Sequence, residues 1–121
     1  MTKNYSWLIN KAEDYIERHL SEKIRLSDIA YDLGISKYHL HRIYRTNSSE
    51  TLNQFITRIK MERSAVYLAV NSHIAMTEIA LRYGYSESSS YNRAFKKHFG
   101  LSPTEFRKEQ ERSIFLNKMK V

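Results

Sequence analysis

The chain has no cysteine, one proline and three glycines in 121 residues. Without thiols there is no disulfide framework, no thiolate metal site and no cysteine nucleophile. Scarce glycine and proline leave little material for the tight turns of an all-β fold and favour helices. No stretch approaches the ~20 apolar residues of a membrane span. The opening MTKNYSWLINKAEDY carries charges where a signal peptide needs an unbroken apolar run. A soluble cytoplasmic protein with no membrane partner is therefore expected. No glycine-rich phosphate loop or nucleophile elbow accompanies the scattered serines and histidines, which argues against an enzyme, and no cofactor is expected. His39 and His41 stand two apart on one predicted helix and cannot share a metal, so no metal site is expected either.

What is abundant is positive charge. Lys and Arg number 20 against 13 Asp and Glu, for a net charge of +7. That excess raises the odds of a polyanionic partner, and its placement says more than its size. No acid lies between Asp32 and Glu50, where Lys37, Arg42 and Arg45 stand. None lies between Glu87 and Glu105, where Arg93, Lys96 and Lys97 stand. Glu13, Asp14, Glu17 and Glu22 gather instead near the amino end.

The two acid-free windows coincide with an internal repeat. GISKYHLHRIYR begins at Gly34 and GYSESSSYNRAFKK at Gly84. Before them LSDIAYDLG aligns with MTEIALRYG, so that Ile29, Ala30, Gly34 and Ser36 match Ile79, Ala80, Gly84 and Ser86. Each copy reads as a two-turn helix closed by a glycine, whose missing Cβ suits a left-handed C-terminal position. A serine two residues later is suited to cap the next helix. Those next helices are expected from about Lys37 to Thr46 and from about Glu87 to His98. Past position 40 the offset becomes fifty-one, pairing Leu40, Arg42 and Tyr44 with Tyr91, Arg93 and Phe95. At that offset Thr51-x-x-Gln54 and Ser102-x-x-Glu105 form two capping boxes, the second followed by Pro103 at a first helical position. Helix, glycine turn and capped helix make a helix-turn-helix, written twice.

A first amphipathic helix carries Leu8, Ala12, Tyr15 and Ile16 at helical spacing. Between the copies, Leu52–Val70 contains no glycine or proline and reads as a stiff connector about 28 Å long. The fold class is all-α: two helix-turn-helix subdomains joined by a long connector helix, about seven helices in all. The expected domains are residues 1–51, the connector 52–71, and residues 72–121. The tail after Arg107 is expected to start helical and to fray at its end.

A recognition helix buries one face and offers the other to DNA. In the first copy Leu40, Ile43 and Tyr44 form the buried stripe, leaving Lys37, Tyr38, His41, Arg42 and Arg45 outward. In the second, Tyr91, Ala94 and Phe95 are buried, leaving Ser88, Ser89, Asn92, Arg93 and Lys96 outward with Ser90 near the edge. Arginine grips guanine O6 and N7 with two hydrogen bonds. Lys37, Arg45, Asn92, Lys96 and Lys97 are expected to meet phosphates, adding affinity without sequence information. Backbone amides near Ser27 and Thr77 are further phosphate candidates. Duller alternatives stay open: Arg42 and Arg93 paired with Asp32 or Glu87, Tyr38 packed on the helix flank, and His39 packed at the helix edge. A helical protein-interaction module is the rival function; it predicts no salt-dependent affinity for a random duplex.

The paired motifs, above all IALRYGYSESSSYNRAFKKHFGLSPTEFRK, resemble the DNA-binding domain of the AraC/XylS family, MarA-like members in particular, over about Asn4 to Arg112. The resemblance implies a monomer that sets two recognition helices in successive major grooves of double-stranded DNA and activates transcription by contact with RNA polymerase. By position it makes Tyr38, His41, Arg42, Ser88, Ser89, Ser90 and Arg93 the base-contacting residues. Two departures stand out. Ser49 replaces a usual glycine, so the turn before the connector is expected to differ. Three short serines replace longer amides, and since a hydroxyl both donates and accepts, the second half is expected to read sequence less strictly. Met1 is the expected natural start. A complete short regulator and a piece of a longer one, whose further carboxy-terminal part binds an effector, both remain open.

Overall fold

The computed structural model describes residues 4–119. Among them are seven α-helices: α1 Ser6–Arg18, α2 Leu26–Leu33, α3 Lys37–Asn47, α4 Leu52–Val70, α5 Met76–Arg82, α6 Ser88–Phe99 and α7 Pro103–Met119. The chain divides into two compact units between Ile59 and Lys60, inside α4.

The first unit is built on one apolar cluster. Leu8, Ala12 and Ile16 of α1 meet Ile29 and Ala30 of α2, then Leu40, Ile43 and Tyr44 of α3 and Leu52, Phe55 and Ile56 of α4. Burying each large side chain contributes about 1.5–3 kcal/mol, which holds three short helices that would be marginal in isolation. Trp7, one position from this stripe, is 59% exposed. At the start of α4, Thr51 and Gln54 form a reciprocal capping box, with N–H to side-chain oxygen distances of 2.8 and 3.1 Å. One turn further in, Arg58 grips Glu50 with two nitrogens, the shortest contact being 2.7 Å, and stacks over Phe55. Glu13 titrates above the ordinary carboxylate range because burial disfavours its charge, against the pull of Arg58.

The second unit buries Met61, Ala65 and Leu68 of α4, Ile79 and Ala80 of α5, and Tyr91 and Phe95 of α6. Phe95 sits among aromatic rings, meeting Tyr91, Phe99 and Phe106. Tyr91, fully buried, donates its hydroxyl proton to Ser64 Oγ at 2.9 Å, and Ser64 donates in turn to the Met61 carbonyl. Burial pushes the Tyr91 phenol up to about 12, its bond to Ser64 opposing the rise. Tyr83 donates to the Arg63 carbonyl, and Arg107 of α7 donates to the carbonyls of Asn71 and Ile74 in the α4–α5 loop. α7 begins at Pro103, and Glu105 N–H donates to Ser102 Oγ. The helix continues to Met119 with Ile114, Phe115, Leu116 and Met119 exposed, so the RSIFLNKMKV segment, whose end is expected to fray, is helical as far as it is described; residues 120 and 121 lie outside the described residues.

Gly34 closes α2 at φ 71°, and Gly84 takes φ 82° two residues beyond α5. Space is not what demands glycine at Gly34, because a Cβ there would meet nothing within 4 Å; the left-handed backbone is.

Candidate nucleic-acid interface

The helix expected to read DNA in the first unit is α3. Ser36 sits in extended backbone before it and accepts the His39 N–H at 3.0 Å, the predicted cap. Leu40, Ile43 and Tyr44 are 1–6% exposed and turn α3 so that the other face meets solvent. Lys37, Tyr38, His41, Arg42 and Arg45 are all exposed, Tyr38 at 73%. Among the described residues Arg42 forms no ion pair, with Asp32 or otherwise. Its carbonyl accepts the Thr46 hydroxyl at 2.7 Å. Arg45 is partly engaged, its Nη1 donating to the Ser49 carbonyl at 3.3 Å.

In the second unit α6 follows the same plan with one shift. The serine expected to cap it, Ser86, does not do so. α6 starts at Ser88, its N-cap is Glu87, and no side-chain cap bond forms. The turn therefore carries one extra residue, and the register changes from fifty to fifty-one at Ser86 instead of past position 40. Tyr91 and Phe95 are fully buried as expected, whereas Ala94 is only half-buried. Ser89, Arg93, Lys96 and Lys97 are exposed; Ser88, Ser90 and Asn92 are half-buried. Arg93 does not pair with Glu87 but donates to Ser90 Oγ at 3.4 Å. Among the described residues, Lys37, Arg93, Lys96 and Lys97 form no ion pair. Cations left unpaired on a protein surface keep their full attraction for an external anion.

The turns after the two helices differ from each other. α6 closes on left-handed Gly100 at φ 82°, whereas α3 closes on extended Ser48, with no non-glycine residue at positive φ. The amide ends of α2 and α5 are preceded by Arg25 and Ala75, neither of which makes a side-chain cap bond. Tyr5 is a neighbour of the α3 face that periodicity does not single out. Its ring meets His39 edge-on at 6.4 Å and helps line a shallow groove of about 250 Å³ with Tyr38, Arg42 and Thr46. His39 is exposed apart from that contact.

A family model described as a helix-turn-helix domain matches residues 14–109. The Msm operon regulatory protein of Streptococcus mutans is 34% identical over 108 residues, covering 89% of this chain and 37% of that protein. The HTH-type transcriptional activator AarP of Providencia stuartii is 30% identical over 106 residues, covering 88% of this chain and 78% of that protein. Among solved structures, the C-terminal domain of AraT, a response regulator from Geobacillus stearothermophilus, superposes with a TM-score of 0.81 at 30% identity and 88% coverage of both chains. The chain spans little more than a third of the Msm regulator and of the Escherichia coli right origin-binding protein, at 37% and 35% of their lengths. A twice-written helix-turn-helix, its cationic faces free of ion pairs among the described residues, and these matches across most of the chain place it in the AraC/XylS family of helix-turn-helix transcription regulators.

Proposed function

We propose that the chain is a sequence-specific double-stranded DNA-binding transcription regulator, an activator, that places α3 and α6 in successive major grooves. The observation that carries the reading is the pair of matched helices, each pinned by a buried apolar stripe and each offering exposed, unpaired cations at corresponding positions. Arg42 and Arg93 supply the two-pronged donor geometry that guanine O6 and N7 accept. Tyr38 and His41 join Arg42 as base readers on α3; Ser88, Ser89 and Ser90 join Arg93 on α6. Lys37, Arg45, Asn92, Lys96 and Lys97 take phosphates and set the register on the duplex. The protein acts as a monomer on DNA in the cytoplasm and contacts RNA polymerase.

Selection of binding sites from a random duplex pool, followed by footprinting, tests the reading. Two protected patches about 10 bp apart on one DNA face are expected, since one helical turn separates successive major-groove sites. A single patch, or affinity that ignores both sequence and salt, would favour the protein-interaction module instead.

A further inference from the structure

The two recognition helices differ in chemistry at the residue just before each helix. In the register of fifty-one, Ser36 corresponds to Glu87. Ser36 turns its hydroxyl back onto the helix and satisfies His39 N–H. Glu87 has the same extended backbone, at φ −139° and ψ 149°, but its side chain caps nothing. Its Oε2 instead accepts the Ser89 hydroxyl at 3.0 Å. Ser89 and Arg93 are four residues apart and share a face of α6. The hydrogen bond therefore holds the Glu87 carboxylate at Ser89 on that exposed face, while the Arg93 guanidinium is held separately by Ser90. Among the described residues the two opposite charges form no ion pair with each other.

A carboxylate in such a place is unfavourable near phosphates. It offers only acceptors, so it is useful only where DNA presents donors. In the major groove guanine shows two acceptors and thymine one, all of which repel a carboxylate; adenine sets its amino donor beside the N7 acceptor; cytosine shows its N4 amino group alone. The first residues of a recognition helix are the ones that reach base edges. Resting on the DNA-binding reading above, we propose that Glu87 is a specificity-determining residue that selects cytosine through its N4 amino group. On this assignment Ser89, counted above among the base readers, acts instead through Glu87 as its positioning residue, holding the carboxylate on the exposed face. The sequence information of the second half-site then resides in Glu87 and Arg93, and the hydroxyls of Ser88 and Ser90 add little to it.

Site selection with the full chain and its Glu87→Gln, Glu87→Ala and Ser89→Ala variants, with titration of a random duplex and thermal melts in parallel, tests the inference. The unsubstituted chain should prefer cytosine at one position of the second half-site. Glu87→Ala should erase that preference by about 5- to 150-fold, the value of one good base contact, while affinity for random duplex rises as a repulsive charge is lost. Glu87→Gln should shift the position towards adenine, whose N6 and N7 suit an amide. Ser89→Ala should give an intermediate loss at the same position only. A lowered melting temperature with base preference unchanged in both Glu87 variants would show a purely structural residue and overturn the assignment. Failure of the DNA-binding reading would look different: the unsubstituted chain would bind no duplex in a salt-dependent way, and both conclusions would fall.

Discussion

Salt dependence offers the most direct quantitative check on the two helix faces. Six cations stand on them: Lys37, Arg42 and Arg45 on α3, with Arg93, Lys96 and Lys97 on α6. Each phosphate neutralised releases counterions, so log Kobs falls against log salt with a slope of about −0.9 per contact on B-DNA. If Arg42 and Arg93 read bases as proposed and take no phosphates, four cations remain and the slope is about −3.6; if all six meet phosphates, it is about −5.4. Raising salt from about 50 to about 200 mM should then weaken binding by roughly 150-fold to 2,000-fold. Fluorescence anisotropy of a labelled duplex at several salt concentrations measures the slope. Lys97→Ala should make it shallower by about 0.9 and weaken every sequence alike, because an exposed flank lysine meets only backbone. Arg42→Ala should instead cost about 1–3 kcal/mol at one base pair and leave the other positions unchanged. A slope shallower than about −2, or a Lys97→Ala effect confined to one base pair, would refute the assignment of these faces.

Three further outcomes follow from packing. Ser64→Ala should destabilise the second unit by about 1–3 kcal/mol, because it strands the buried Tyr91 hydroxyl, and Tyr91→Phe should cost less, about 0.5–1.5 kcal/mol. The double variant should cost no more than Ser64→Ala alone, because the stranded hydroxyl is then gone, so additive losses in urea titrations followed by circular dichroism would disprove the coupling. Gly34→Ala should destabilise the first unit by about 1 kcal/mol or more through its left-handed backbone, with Gly34→Asn milder; equal stability of all three proteins would disprove the strain. Tyr91 titrates near 12 when folded and near 10 when unfolded, so the unfolded chain loses its proton first as pH rises. The stabilisation is complete below about pH 10 and is lost between there and about pH 12, at up to about 1.4 kcal/mol per pH unit. Tyr91→Phe should flatten that part of the stability curve, although Tyr83 and Tyr85, also raised by burial, leave a residual slope of the same sign.

The elements whose signals are periodic or local could be read from the chain directly. Leu52–Val70 is a helix with the bounds its uninterrupted pattern predicts. Ser36 caps α3, Thr51 and Gln54 close a capping box, and Pro103 opens α7, because each depends on neighbours within four residues. The shift at Ser86 was hidden for a physical reason: one extra residue in a turn leaves the periodicity of both flanking helices intact. The half-burial of Ala94 was hidden too, since a small side chain on the edge of an apolar stripe looks the same in sequence whether covered or not. The bond from Tyr91 to Ser64 joins residues 27 apart, and the contact of Tyr5 with His39 joins the residue before α1 to α3; no spacing rule reaches that far. Glu87 was visible as an acid bordering a basic window and as a possible partner of Arg93, but its orientation depends on which hydroxyl it accepts.

The position of the indole on α1 governs how this molecule should be watched. Trp7 is the only tryptophan, it belongs to the first unit, and it already sees solvent in the native state. Its emission is therefore a faint signal of one half and silent about Tyr91, Phe95 and everything packed round them. A melt followed by that fluorophore reports directly only on residues before Lys60. Backbone dichroism, to which all seven helices contribute, is the observable that counts both halves.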